Sequence, residues 1–345
     1  MLTEGTDEKP MKNKKRSIPF IFKLTGCLII FVVLFVISQI YGAANATAKD
    51  VWLAIASNEV SDSILVIREL RLPREVAGIL VGAALAVAGT IMQGVTRNPL
   101  ADPGLLGLSS GASMALALTL AFAPGVGTFG IMLACFLGAA LGASLVLLLS
   151  AMRRGQLSPT RIILAGAAVS AFLYAVSEAV GLYFKISKDV SMWTAGGLIG
   201  TTWGQVQAIS PVIIIAVVLA LLLSKQLTIM SLSDDVAVSL GQRLVLIKAF
   251  LFLVVIVLTG ASVALVGNIA FIGLMIPHIV RTFAGTDYRS VMPLSAITGA
   301  SFMLLADTMG RTINAPYETP VAAIVAMMGL PFFLFVVNKG GKKRS

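Results

Sequence analysis

The chain is a succession of long unbroken apolar runs, and their length decides what it can fold into. A helix rises about 1.5 Å per residue, so about 20 apolar residues cross the hydrocarbon core of a bilayer. Runs of this kind lie at 20–42, 75–96, 104–122, 126–151, 161–184, 205–224, 244–266, 268–284, 291–312 and 319–337. The expectation is an all-α, polytopic membrane helical bundle of about ten transmembrane helices. A membrane β-barrel would need segments of about 10 residues with alternating hydrophobicity, and these runs do not alternate. A water-soluble fold fails on surface chemistry. Only 12% of the residues are charged and the mean hydropathy is +0.95, whereas a soluble domain carries about 25% charged residues. The organisation expected is a basic tail at 1–19, one membrane domain at 20–337 and a second basic tail at 338–345.

The net charge of +10 would suggest nucleic acid in a soluble protein. No basic stripe interleaved with aromatics is present, and basic residues gather in inner loops as a topology signal. With the N-terminus inside and ten spans, nineteen of the 26 lysines and arginines fall inside and seven outside. Both termini are therefore expected on the cytoplasmic side of the cell membrane. Arg68, Arg71 and Arg74 stand out as an outer basic cluster that departs from the rule. Lys12, Lys14, Lys15 and Arg16 precede the first run, and Ala44-Asn45-Ala46 follows it in the manner of a signal-peptidase site. The run is longer than the ~7–15 residues of a secretory core, so an uncleaved first helix is expected.

Metal and cofactor chemistry find little to work with. Cys27 and Cys135 both sit inside apolar runs, and His278 is the sole histidine. No metal centre, cofactor or nucleophile–base set is expected.

Small residues recur at four-residue spacing. Gly78/Gly82, Gly107/Gly111 and Gly138/Gly142 each let another backbone approach closely, and packing within the bundle is the expected use. Gly82–Gly89 resembles Gly260–Gly267, a weak echo of an inverted repeat.

Three interruptions carry mechanism. Asn98, Pro99, Asp102, Pro103 and Gly104 make a stiff inner turn, with Asp102 able to cap the next helix and Pro103 at its first position; a rigid turn beside a gate is the functional reading. Next, Ser233 can cap a short helix that opens with Asp234 and Asp235 and ends at Gly241. It is too short to span a membrane and suits the docking of a soluble partner. The third is 266–281, where Pro277 removes a backbone donor and a kink or break is expected. Inside the spans, Glu178 is costly and so a candidate for lining a pathway. Asp307 and Arg311, four apart with the acid first, are placed to form a helical ion pair.

Arg71-Leu72-Pro73-Arg74, Asn98-Pro99-Leu100-Ala101-Asp102-Pro103-Gly104, Gly273-Leu274-Met275-Ile276-Pro277-His278, Ala306-Asp307 and Gly329-Leu330-Pro331-Phe332-Phe333 together resemble the permease subunits of iron–siderophore and vitamin B12 ABC importers. Asn268 stands where that family would have a proline. The resemblance implies a type II importer fold that pairs with a second permease subunit, identical or paralogous, around a shared path. It implies two cytoplasmic ATPase subunits bound at Asp234, Asp235, Val236, Ala237, Leu240 and Gly241. It also implies an extracytoplasmic siderophore-binding protein docked by its acidic residues at Arg71, Arg74 and Arg311. The chain contains no G-x-x-x-x-G-K-[ST] phosphate loop of its own, so ATP hydrolysis is expected in separate subunits. Hydroxamate siderophores are the first expectation for cargo, with cobalamin or haem the alternative. A secondary transporter should show more intramembrane carboxylates.

Overall fold

The computed structural model describes residues 19–41, 47–57, 59, 61–151, 159–315 and 317–341. The basic tail up to residue 18, the Ala44-Asn45-Ala46 site and the last four residues lie outside the described residues.

Helices follow one another in the order α1 (Phe20–Ile40), α2 (Ala48–Ala56), α3 (Asp62–Val66), α4 (Leu72–Thr96), α5 (Leu108–Phe122), α6 (Thr128–Ala151), α7 (Pro159–Tyr183) and α8 (Ser187–Thr194). The second half comprises α9 (Trp203–Leu222), α10 (Ser224–Met230), α11 (Asp234–Ser239), α12 (Leu244–Val266), α13 (Ile272–Ala284), α14 (Tyr288–Thr312) and α15 (Val321–Gly341). Among the described residues no strand occurs. Among the described residues, seven helices are long and apolar enough to cross a membrane, and three shorter apolar ones, α5, α13 and α15, complete the ten segments read from the sequence. Inner and outer below keep the sense of the sequence-based topology.

α4 is the axis of the bundle. It packs against α14, α12, α13 and α9, and most of its length is buried. Small residues make this possible. A Cβ on Gly82 would stand 2.3 Å from the Gly299 carbonyl of α14, and one on Gly89 would stand 1.9 Å from that of Gly273. Gly111 and Gly138 meet in the same way, each within 2.4 Å of the other's carbonyl were a Cβ added. The spaced glycines therefore join helices within the chain, as expected. Large apolar side chains point outward on α1, α7 and α9, including Phe22, Leu164, Phe172 and Ile215, as lipid-facing surfaces require.

Three elements differ from the sequence reading. The second span begins earlier than residue 75: the helix runs without interruption from Asp62 to Thr96, through a π-helical turn at Ile67–Arg71. Arg68 leaves that turn to donate to the carbonyls of Ala54 (2.8 Å), Leu53 (3.1 Å), Glu59 (3.1 Å) and Ser57, closing the end of α2. Asp102 caps a 3-10 turn at Pro103–Leu106, and α5 starts only after Gly107. Finally, the interruption near Pro277 falls upstream of the proline. Residues 267–271 are unwound, with Gly267 and Phe271 at positive φ, and α13 runs continuously through Pro277. Proline at 277 orphans the carbonyl four residues back, and Gln93 of α4 supplies the missing donor, with Nε2 3.2 Å from Gly273 O and 3.1 Å from Leu274 O.

Candidate functional site

The inner site is built around α11. Ser233 Oγ accepts the Val236 N–H at 3.1 Å and starts the helix. Gly241, at φ +78°, ends it: Gln242 N–H donates to Ala237 O at 3.0 Å and Gly241 N–H to Val238 O at 2.8 Å. This is the Schellman pattern, which needs a residue in the left-handed region. Ala237 is the buried anchor, whereas Val236, Val238 and Leu240 are exposed, Leu240 at 63%. A short helix fastened at both ends thus shows an apolar face to the outside of the chain.

Asp234 ties this helix to the bundle. Its carboxylate pairs with Lys248 of α12 at 3.1 Å and with Arg97 at the end of α4. Burial pushes the Asp234 carboxyl up, but Lys248 and Arg97 outweigh it and hold it below the ordinary carboxylate range. Arg97 also donates from Nε and Nη2 to Met230 O of α10, at 3.0 and 2.7 Å. It has φ +50°, unusual for a residue with a side chain, and the next residue opens the stiff turn. That turn is locked locally: Leu100 N–H reaches Asn98 Oδ1 at 3.0 Å and Gly104 N–H reaches Asp102 Oδ1 at 2.8 Å. Pro99 is exposed and Pro103 buried. The helix and the turn, separate motifs in the sequence, are therefore joined through Arg97. In the sequence Arg97 stands as an inner charge at the head of the stiff turn. Its signal was position: a lone arginine that closes a long apolar helix immediately before Asn-Pro.

At the outer end, Arg71, Arg74 and Arg311 come together, but they are turned inward, each less than a tenth exposed. Arg74 is the hub. Its Nε and Nη2 lie 3.0 and 2.9 Å from Asp307 Oδ1, and its Nη1 lies 2.9 Å from Glu318. Arg311 pairs with Asp307 at 3.1 Å in the expected i,i+4 geometry and lies 3.4 Å from Glu75. It also donates to Ser38 O at 3.1 Å, and Arg71 donates to Gln39 O, so both cap the end of α1. Gln39 Nε2 donates to Glu75 at 2.7 Å. Three arginines thus face three acids, Glu75, Asp307 and Glu318, of which only Glu318 is substantially exposed, at 29%. The sequence reading took these arginines as an open positive surface. It missed Glu75, although Glu75 stands four residues after Arg71, and Glu318, which no local spacing links to Arg74.

Glu178 lies apart from both sites, on α7, half-buried and hydrogen-bonded to the exposed Tyr174 one turn earlier. His278 packs edge-on against Phe332, ring centroids 5.7 Å apart. No cluster of metal-ligating side chains occurs among the described residues.

The chain is similar to known proteins over most of its length. Residues 29–339 match the FecCD transport family. The chain is 44% identical over 299 residues to the iron(3+)-hydroxamate import system permease protein FhuB of Bacillus subtilis, covering 86% of this chain and 78% of that protein. It is 38% identical over 309 residues to the iron-uptake system permease protein FeuB of the same organism, covering 89% and 92%. Its fold superposes with a TM-score of 0.81 on a metal-chelate-type ABC transporter solved in an inward-facing conformation, at 26% identity and covering 93% of this chain and all of that one. The chain belongs to the FecCD transport family and is a multi-pass permease subunit of the iron–siderophore class of ABC importers.

Proposed function

We propose that this chain forms, with a second copy or a paralogue, the path of an ATP-driven importer for iron(III)–hydroxamate siderophores. The observation that carries the mechanism is the fastened apolar helix α11, linked by Asp234 and Arg97 to the Asn98–Gly104 turn. A separate ATPase subunit binding Val236, Val238 and Leu240 would pull on that turn through Arg97. The turn acts as an inner gate, and both termini lie in the cytoplasm. The hydroxamate class is supported by the similarity to FhuB.

An extracytoplasmic binding protein delivers the chelate at the outer end. Because the arginine cluster is already neutralised within the chain, an acidic residue of that protein reaches Arg74 by replacing Glu318, the exposed member. Glu178 faces the chelate or the second subunit from α7.

The test is reconstitution of the permease with its ATPase and binding protein in vesicles. Uptake of a ferric hydroxamate that requires internal ATP, ignores proton and sodium gradients and exceeds uptake of haem is the expected result. Uptake driven by an ion gradient without ATP overturns the reading.

A further inference from the structure

Two interruptions of the bundle, at 97–107 and at 267–271, meet. After Thr96 the segment 97–107 turns back along α4, so that Asp102 and Pro103 lie beside Gly273 and the Leu85 carbonyl. A Cβ on Gly273 would stand 2.9 Å from Pro103 Cδ, 3.1 Å from Leu85 O and 3.3 Å from Asp102 Oδ2. Leu85 is three helical turns in from the end of α4, about 16 Å. The second interruption is the unwound stretch 267–271 between α12 and α13. Between them lies a cavity of about 40 Å³ lined by Asp102, Ser109, Thr259, Ser262 and Asn268 and by the unwound backbone.

Several side-chain oxygens line the cavity, beside the Asn268 amide, which carries donors as well. Asp102 accepts one backbone N–H, from Gly104, and no ion pair to it occurs among the described residues. Thr259 is 3% exposed and its hydroxyl has no hydrogen-bond partner among the described residues. The protons of the two serines are already committed, Ser109 to Asn268 Oδ1 at 2.9 Å and Ser262 to Leu258 O at 2.7 Å, which leaves their lone pairs facing the space. The unwound residues 267–270 complete the lining, with the Ala270 carbonyl already accepting the Ile272 N–H at 2.9 Å. A carboxyl group with no ion-pair partner, beside neutral oxygens, suits a single positive charge. Magnesium keeps several of its waters and calcium takes about 6–8 oxygen ligands, more than a cavity of about 40 Å³ accommodates. Unwound backbone at a broken membrane helix is well suited to coordinating sodium. The volume exceeds the ~10–15 Å³ a single water needs, so an ion and a bridging water both fit.

We propose that this cavity binds a sodium ion that pins the Asp102 turn to α12 and to the break before α13. The ion holds the turn in the conformation described here and is not carried with the chelate, so it adds no coupling gradient to transport. The test compares thermal unfolding of the purified permease–ATPase complex in sodium, potassium and choline chloride at equal ionic strength. The wild type should show a saturable rise in midpoint with sodium and none with choline. Asp102→Asn should abolish the rise, and the isosteric Thr259→Val should weaken sodium binding at least about tenfold, the loss expected for one ligand to a charge. Equilibrium binding of radioactive sodium to the same proteins gives a second readout that does not depend on unfolding. If Asp102→Asn does not fold, Thr259→Val decides alone. Identical midpoints for the wild type in all three salts, or a sodium response unchanged in Thr259→Val, overturns the proposal.

Discussion

Asp307 holds two guanidinium groups at once, on either side of one carboxylate that is almost wholly buried. Removing one partner of a buried pair strands the others without water. Asp307→Ala is therefore expected to cost about 3–5 kcal/mol, read as a loss of resistance to unfolding of the purified protein. Glu318→Gln removes an acid at the rim and should cost only about 0–1 kcal/mol. Equal losses in the two variants would show that the cluster is not organised around Asp307. The Asp307–Arg311 pair was legible in the sequence because both residues lie on one helix. The partner 233 residues away, Arg74, was not, because only the packing of α4 on α14 brings the two together. Asp234 makes a second prediction at this scale. Its folded pKa is depressed, so the stability it contributes is fully present above the unfolded carboxylate value, about 3.9. That stability is lost as pH falls through the lower folded value. Coupling of ATP hydrolysis to transport should be insensitive to this group between pH 5 and 8, values well above ~3.9, and Asp234→Asn should impair coupling throughout that range while leaving membrane levels normal. A wild-type coupling ratio in Asp234→Asn would remove Asp234 from the mechanism.

The helices themselves were easy to find because a bilayer demands long apolar segments, and composition alone meets that demand. Where they break was not. Pro277 is the loudest local signal in its segment, yet α13 passes through it, because Gln93 Nε2 satisfies the Gly273 carbonyl that the proline leaves bare. The break sits at 267–271, where Asn268 stands in place of an expected proline and the local sequence gives little warning. α8, α10 and the long start of the α4 helix were missed for the opposite reason: they are too short or too polar to register as spans. Gln93 thus carries an element-scale prediction. Its amide also accepts from Arg281 at the inner end of α13, so one side chain serves both ends of that helix. Gln93→Leu should keep the shape of α4 but leave the Gly273 carbonyl unpaired and Arg281 with Tyr288 as its remaining partner, at a cost of about 1–3 kcal/mol. Hydrogen exchange would place the loss in α13. Unchanged protection there would mean that the proline is tolerated without its donor.

At the scale of the whole molecule, the internal pairing of charges sharpens the topology. Seven of the lysines and arginines fall on the outer side of the sequence-based arrangement. Arg68 is spent on the carbonyls around α2, and Arg71, Arg74 and Arg311 are held by carbonyls and acids within a buried cluster. Only Lys49, Lys185 and Lys188 are left as ordinary outer charges. The positive-inside bias depends on charges that must be retained on one side, so the outer arginines are weaker exceptions than the raw count suggests. The inner end shows the reverse: Arg243 and Arg289 close loops there, and Arg97 and Lys248 fasten α11. A reporter inserted after Ser233 should accordingly be cytoplasmic, and one inserted at Lys188 extracytoplasmic. The two insertions are separated by one full span, α9, so they must report opposite sides whichever way the protein sits. Reversing both would invert the molecule and carry α11 away from any ATPase, ending the coupling proposal. Finding both on the same side would instead mean that α9 does not cross. Neutralising Arg243 and Arg289 together should leave the orientation unchanged if the basic N-terminal residues dominate, and should mix the two orientations if the inner loops share the control.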